Sequence, residues 1–189
     1  MAERRRRRPR RITPDYLYNA AVYYLERYSS SSENVKAVLR RKVWRAARET
    51  DVDQAQAEQW IDETVAKLER AGMLDDRAYA DMRVLSLRRA GESARSIRMK
   101  LAAKGVDGDT IAAALAQVEQ ENDDWIAAAA YARRRRLGPF RDPASREERR
   151  QRDLASLARK GFGIEIARAV IEAEDEDALD ELLEDRAGD

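Results

Sequence analysis

Cysteine and histidine are both absent from this 189-residue chain. With them go disulfides, the usual zinc ligand sets, thiol nucleophiles and any imidazole general base. Aromatic residues make up only 6%, and eight glycines and four prolines punctuate the whole length. No window alternates β-branched residues as a half-buried strand requires, so sheet is not expected. No apolar run approaches the ~18 residues of a membrane-spanning helix. The Arg-rich start is not followed by the apolar region of a secretory signal. The expectation is a cytoplasmic protein with no metal, no cofactor and no membrane partner, working by binding rather than as an enzyme.

What is present is charge. Asp, Glu, Lys and Arg form 39% of the chain, against roughly 25% in an average globular protein. So much solvated surface leaves little for a thick core, and a slender helical molecule is expected. The net charge of +1 hides an asymmetry: residues 1–11 carry +6, residues 172–189 carry −9, and residues 12–171 carry +4. Residues 1–12 read as a disordered Arg-rich arm. Residues 173–189 read as an acidic C-terminal tail, for which a solvated tail, one that imitates DNA and one folded back on basic helices are all consistent with the pattern.

Helix signals fill the interval. Thr13-Pro14-Asp15 combines a cap, a proline at the first helical position and an acid facing the dipole. Ser30 and Glu33 have capping-box spacing ahead of Val35, Val38 and Leu39. A third helix carries Ile61, Val65 and Leu68 and ends near Gly72. The order then recurs: Asp75 or Asp76, Ser93 and Asp107 open three more helices, and Asp124, Ser145 with Glu148, and the stretch holding Ile166 and Val170 mark another three. The sharpest internal match is Leu39-Arg-Arg-Lys42-Val43, Leu101-Ala-Ala-Lys104-Gly105 and Leu157-Ala-Arg-Lys160-Gly161. In the last two, Leu packs inward, Lys sits at the negative dipole end and Gly takes the left-handed cap. Val43 replaces Gly in the first copy, so that helix is expected to run on. The fold class is therefore all-α, an elongated tandem array of three helix-turn-helix-like repeats of three helices each, spanning residues 13–74, 75–121 and 122–172.

Residues 72–80 (Gly-Met-Leu-Asp-Asp-Arg-Ala-Tyr-Ala), 97–106 (Ile-Arg-Met-Lys-Leu-Ala-Ala-Lys-Gly-Val) and 157–162 (Leu-Ala-Arg-Lys-Gly-Phe) carry a family likeness. In that order and spacing, across residues 14–172, the chain resembles the RecX family of bacterial regulators. The resemblance implies tandem three-helix units that bind the RecA recombinase filament, lodge in its helical groove on single-stranded DNA and lower ATP hydrolysis, strand exchange and filament extension. Val43, the long connection after it, the Arg arm and the acidic tail depart from the family pattern.

Candidate contact residues follow from charge. Between Arg88 and Lys104 lie six basic residues, Arg88, Arg89, Arg95, Arg98, Lys100 and Lys104, and only one acid, Glu92. The third unit adds Arg133, Arg134, Arg149, Arg150, Arg152, Arg159 and Lys160. Such weakly diluted clusters point to DNA phosphates or an acidic RecA surface. The partners expected are the RecA filament and single-stranded DNA, with double-stranded DNA as a further candidate, met by a monomer. A plain sequence-independent DNA-binding helical module is the alternative. Asp75 and Asp76 read as caps rather than metal ligands. Tyr16, Tyr18, Tyr23, Tyr24 and Tyr28, like Trp44, Trp60 and Trp125, read as packing residues in preference to base-stacking platforms.

Overall fold

The computed structural model describes residues 11–119 and 123–187, and among these every regular element is helical. The elements are α1 (Pro14–Leu25), α2 (Ser32–Ala47), α3 (Gln54–Arg70), α4 (Asp76–Arg89), α5 (Ala94–Ala102), α6 (Gly108–Glu119), α7 (Asp124–Arg135), a 3-10 turn (Gly138–Phe140), α8 (Pro143–Arg159), α9 (Ile164–Glu172) and α10 (Glu176–Ala187). The chain divides into two compact units. One runs to Tyr79 and includes Lys104–Val106, and the other comprises Ala80–Ala103 and the residues from Asp107 onward.

In the first unit α1, α2 and α3 close around Leu17, Ala21, Val35, Leu39, Ile61, Val65 and Leu68, all buried. Ile12, at the end of the arm as read from the sequence, is buried in this core too. Helix starts follow side-chain chemistry: Thr13 accepts from the Tyr16 amide at 3.1 Å and Asp53 from the Gln56 amide at 3.0 Å. The cap of α2 is Ser31, not Ser30. Ser31 accepts from the Asn34 amide at 3.3 Å, while Ser30 is buried and accepts from the Asn34 side chain. As Val43 implied, α2 continues to Ala47.

In the second unit Val84, Ile97, Leu101, Ile111 and Leu115 are buried on α4 to α6. A larger core gathers Ala128, Tyr131, Leu157, Phe162, Val170 and Leu179. Leu179 belongs to α10, so within the acidic segment Glu176–Ala187 form a helix with one side chain in this core. The α8 cap is Asp142, accepting from the Ala144 amide at 3.0 Å, with Pro143 at the first helical position; Ser145 instead donates to the Asp142 carbonyl.

The Lys-Gly signature has a definite structural task. In the second unit the Ser93 hydroxyl, which caps α5, donates to the Lys160 carbonyl at 2.9 Å, and the Ala94 amide donates to Asp124 at 2.8 Å. The exposed carbonyl end of α8 thus meets the amide end of α5, opposite poles of two helix dipoles. In the first unit the same set recurs: Ser31 donates to the Lys104 carbonyl, and the Ser32 amide donates to Asp76 at 2.7 Å. Gly161 has φ +87°, and a Cβ there would lie 2.4 Å from the Ser93 hydroxyl oxygen; Gly105 has φ +76° and would meet Glu33 at 2.4 Å. Glycine is needed both for the left-handed cap and for the close approach.

Candidate nucleic-acid and protein interface

The basic residues singled out by their clustering separate into three kinds. The first is structural. Arg88 is 2% exposed and forms an ion pair with Asp124, the same carboxylate that receives the α5 amide. The expectation that Arg88 contacts a partner is corrected: a guanidinium held inside by a carboxylate has no face left for a phosphate.

The second kind is exposed or half-buried but engaged. Glu92, the single acid of the Arg88–Lys104 stretch, is 5% exposed and holds Lys160 at 2.5 Å, Lys100 at 2.8 Å and the Ser96 hydroxyl at 2.7 Å. Burial alone raises the pKa of this carboxyl, but the hydrogen bonds from Lys100, Lys160 and Ser96 outweigh it and bring it down to about 2. Lys104 donates to Asn34 at 3.3 Å. Arg134 donates to the carbonyls of Arg89 and Ala90 at 3.2 and 2.7 Å, tying the end of α4 to α7. Arg133 reaches both carboxylate oxygens of Asp180 on α10 at 3.2 Å, Arg150 pairs with Glu172, and Arg149 lies 3.5 Å from Glu148.

The third kind is exposed and makes no ion pair among the described residues: Arg89 at the end of α4, Arg95 on α5, and Arg152 and Arg159 on α8. Arg98, also on α5, is exposed. Arg89, Arg95, Arg152 and Arg159 are the charges a polyanion meets without first displacing an acid. Asp75 accepts from the Ala78 amide at 2.9 Å, and Asp76 from the Ser32 amide, so both carboxylates serve helix starts.

Three features escaped the sequence reading. One is the Glu92 hub, whose only signal was a lone acid in a basic run just before a serine cap. Another is Asp153, 2% exposed, which accepts from the Gly138 amide at 3.1 Å and from Arg141 at 3.0 and 2.9 Å and so fastens the 3-10 turn to α8. The third concerns aromatics taken as packing residues: Tyr23, Tyr28 and Trp44 are 61%, 57% and 61% exposed.

Helices whose termini are capped by side chains, with arginines left open on their surface, define an all-α protein of the helix-turn-helix-like class. The chain belongs to the RecX family. The family model for the second three-helix domain of RecX matches residues 75–115. Regulatory protein RecX of Myxococcus xanthus is 45% identical over 172 residues, covering 90% of this chain and 92% of that protein. The Agrobacterium fabrum protein of the same name is 35% identical over 166 residues, covering 87% and 86%. In fold, the chain is similar to the crystal structure of RecX from Lactobacillus salivarius, with a TM-score of 0.57 and 21% identity over 84% of this chain and 94% of that one. No helix among the described residues is long and apolar enough to cross a membrane.

Proposed function

We propose that the chain is a non-catalytic, cytoplasmic regulator that binds the RecA nucleoprotein filament on single-stranded DNA as a monomer and lowers RecA ATPase, strand exchange and filament extension. The contact residues are Arg89, Arg95, Arg152 and Arg159, with Arg98, Lys100, Lys104, Arg133, Arg134, Arg149, Arg150 and Lys160 available where a stronger anion displaces their present partners. The three repeats are taken to divide at residues 13–74, 75–121 and 122–172.

The observation that carries this reading is that the exposed Arg89, Arg95, Arg152 and Arg159 make no ion pair among the described residues, in a chain of the RecX family. Uncompensated cations on a rigid helical scaffold raise association rates and affinity for an anionic surface. RecA ATPase on single-stranded DNA should fall as the wild-type chain is added, and the double variant Arg89→Glu/Arg95→Glu should lose that inhibition while keeping its helical circular-dichroism signal. An ATPase rate indifferent to the wild-type chain, or inhibited equally by the variant, would overturn the proposal.

A further inference from the structure

Most of the basic residues singled out by their clustering are committed to internal partners, whereas one face of the first unit leaves cations open beside exposed tyrosines. Along α1 and its C-terminal turn, Tyr23 and Tyr28 are 61% and 57% exposed. Tyr24 lies beside Tyr28, ring centroids 5.1 Å apart and tilted by 37°, and its hydroxyl accepts from the Asn34 side chain at 3.0 Å, which fixes the pair. The Arg27 guanidinium stacks on the Tyr23 ring at 3.6 Å from its centroid. Across the groove, α2 contributes Arg41, Lys42 and Arg45, and Val38 lies on the floor.

The charge on this face is almost uniform. Arg41, Lys42 and Arg45 make no ion pair among the described residues, and the acid in contact is Glu26, 3.5 Å from Arg27. Arg40, on another side of α2, is taken up by Glu33 and Glu58 and so does not belong to the groove. Cations alone suit any polyanion. Aromatic faces held open beside them suit one whose bases are unpaired, because a base inside a duplex presents no free π-face.

We infer that the groove between α1 and α2 is a binding site for single-stranded nucleic acid, in which bases stack on the open faces of Tyr23 and Tyr28 while Arg41, Lys42 and Arg45 hold the phosphates and Arg27 backs the Tyr23 ring. The site is separate from the arginines assigned to the RecA filament and stands whether or not that assignment does. No residue of the groove was among those the charge clustering singled out, because its cations are spread over two helices and its tyrosines have helical spacing.

The test uses the full chain and fluorescence anisotropy with a labelled oligothymidylate of about 15 nucleotides, close to the upper site size of small single-strand binders. Tyr23→Ala/Tyr28→Ala should weaken binding by about tenfold or more, the effect of losing stacked bases, and leave the salt slope unchanged. Tyr23→Phe/Tyr28→Phe should restore binding, since it keeps the rings. Arg41→Glu/Arg45→Glu should weaken binding and flatten the salt slope. An abasic chain of the same length should be bound equally by wild type and the alanine variant. Equal losses on the abasic chain or on a duplex would reduce the groove to a phosphate patch and overturn the proposal, as would unchanged oligothymidylate binding in the alanine variant. RecA is absent from every arm, so the outcome is independent of the ATPase experiment.

Discussion

Glu92 shows how one carboxylate decides what several neighbouring charges are for. A buried acid is costly unless its lone pairs are filled, and here Lys100, Lys160 and Ser96 fill them. The pairing both clamps α5 to the end of α8 and withholds two lysines from other anions. Because the folded pKa lies below the ordinary value of 4.5, at about 2, the stabilisation is complete above about pH 4.5 and is lost as pH falls towards 2. Glu92→Gln should therefore be less stable than wild type at pH 6 in urea denaturation, with the gap closing between pH 4.5 and pH 2. A gap that stays constant across that window would mean that the carboxylate charge contributes nothing.

Helix α10 is where an acidic segment becomes an element of the fold. Asp175 caps it by accepting from the Ala178 amide at 2.9 Å, as Asp75 does for Ala78 and Asp123 for Ile126. The residue four places after each cap, Tyr79, Ala127 and Leu179, is buried. The acidic segment thus starts as α4 and α7 start, and it places Leu179 in the core that also holds Phe162 and Val170. Two substitutions separate its roles. Leu179→Ala should cost about 2–4 kcal/mol by opening a cavity in a fully closed site. Asp180→Asn removes an exposed bridge worth at most about 1 kcal/mol, so thermal stability should hold while the released Arg133 raises affinity for polyanions. A large loss of stability from Asp180→Asn would instead make the bridge structural.

For the molecule as a whole, net charge is a poor guide to binding, since the +1 total is the sum of committed and uncommitted groups. Only cations that shed counterions on binding set the salt dependence. Replacing Arg95 or Arg159 by Ala should each lower the slope of log affinity against log salt by about one, measured on RecA filaments or on DNA. Arg88→Ala should leave that slope alone and lower the melting temperature, because it strips Asp124 of its buried partner. A slope that falls with Arg88→Ala would place this guanidinium on the contact surface after all.

Helices, their starts and the recurring Lys-Gly ends were legible along the chain because caps, periodicity and left-handed glycines act within a few residues of one another. Residues such as Thr13, Ser93 and Asp107 perform next to their own helices the task their positions imply. The family likeness was legible for the same reason, carried by short runs of residues around helix ends. Long-range pairing was not. That Ser93 receives the end of α8, that Glu92 takes two lysines, one from 68 residues away, and that Arg88 turns inward depend on which helix termini meet. The exposure of Tyr23 and Tyr28 is decided in the same way, by which side of α1 packs on α2 and α3. The order of residues specified the helices and the count of charges, through interactions local to each turn. Packing between helices distant in sequence settled which charges are spent inside and which face a partner, since an ion pair is made or withheld only when both groups reach the same few ångströms.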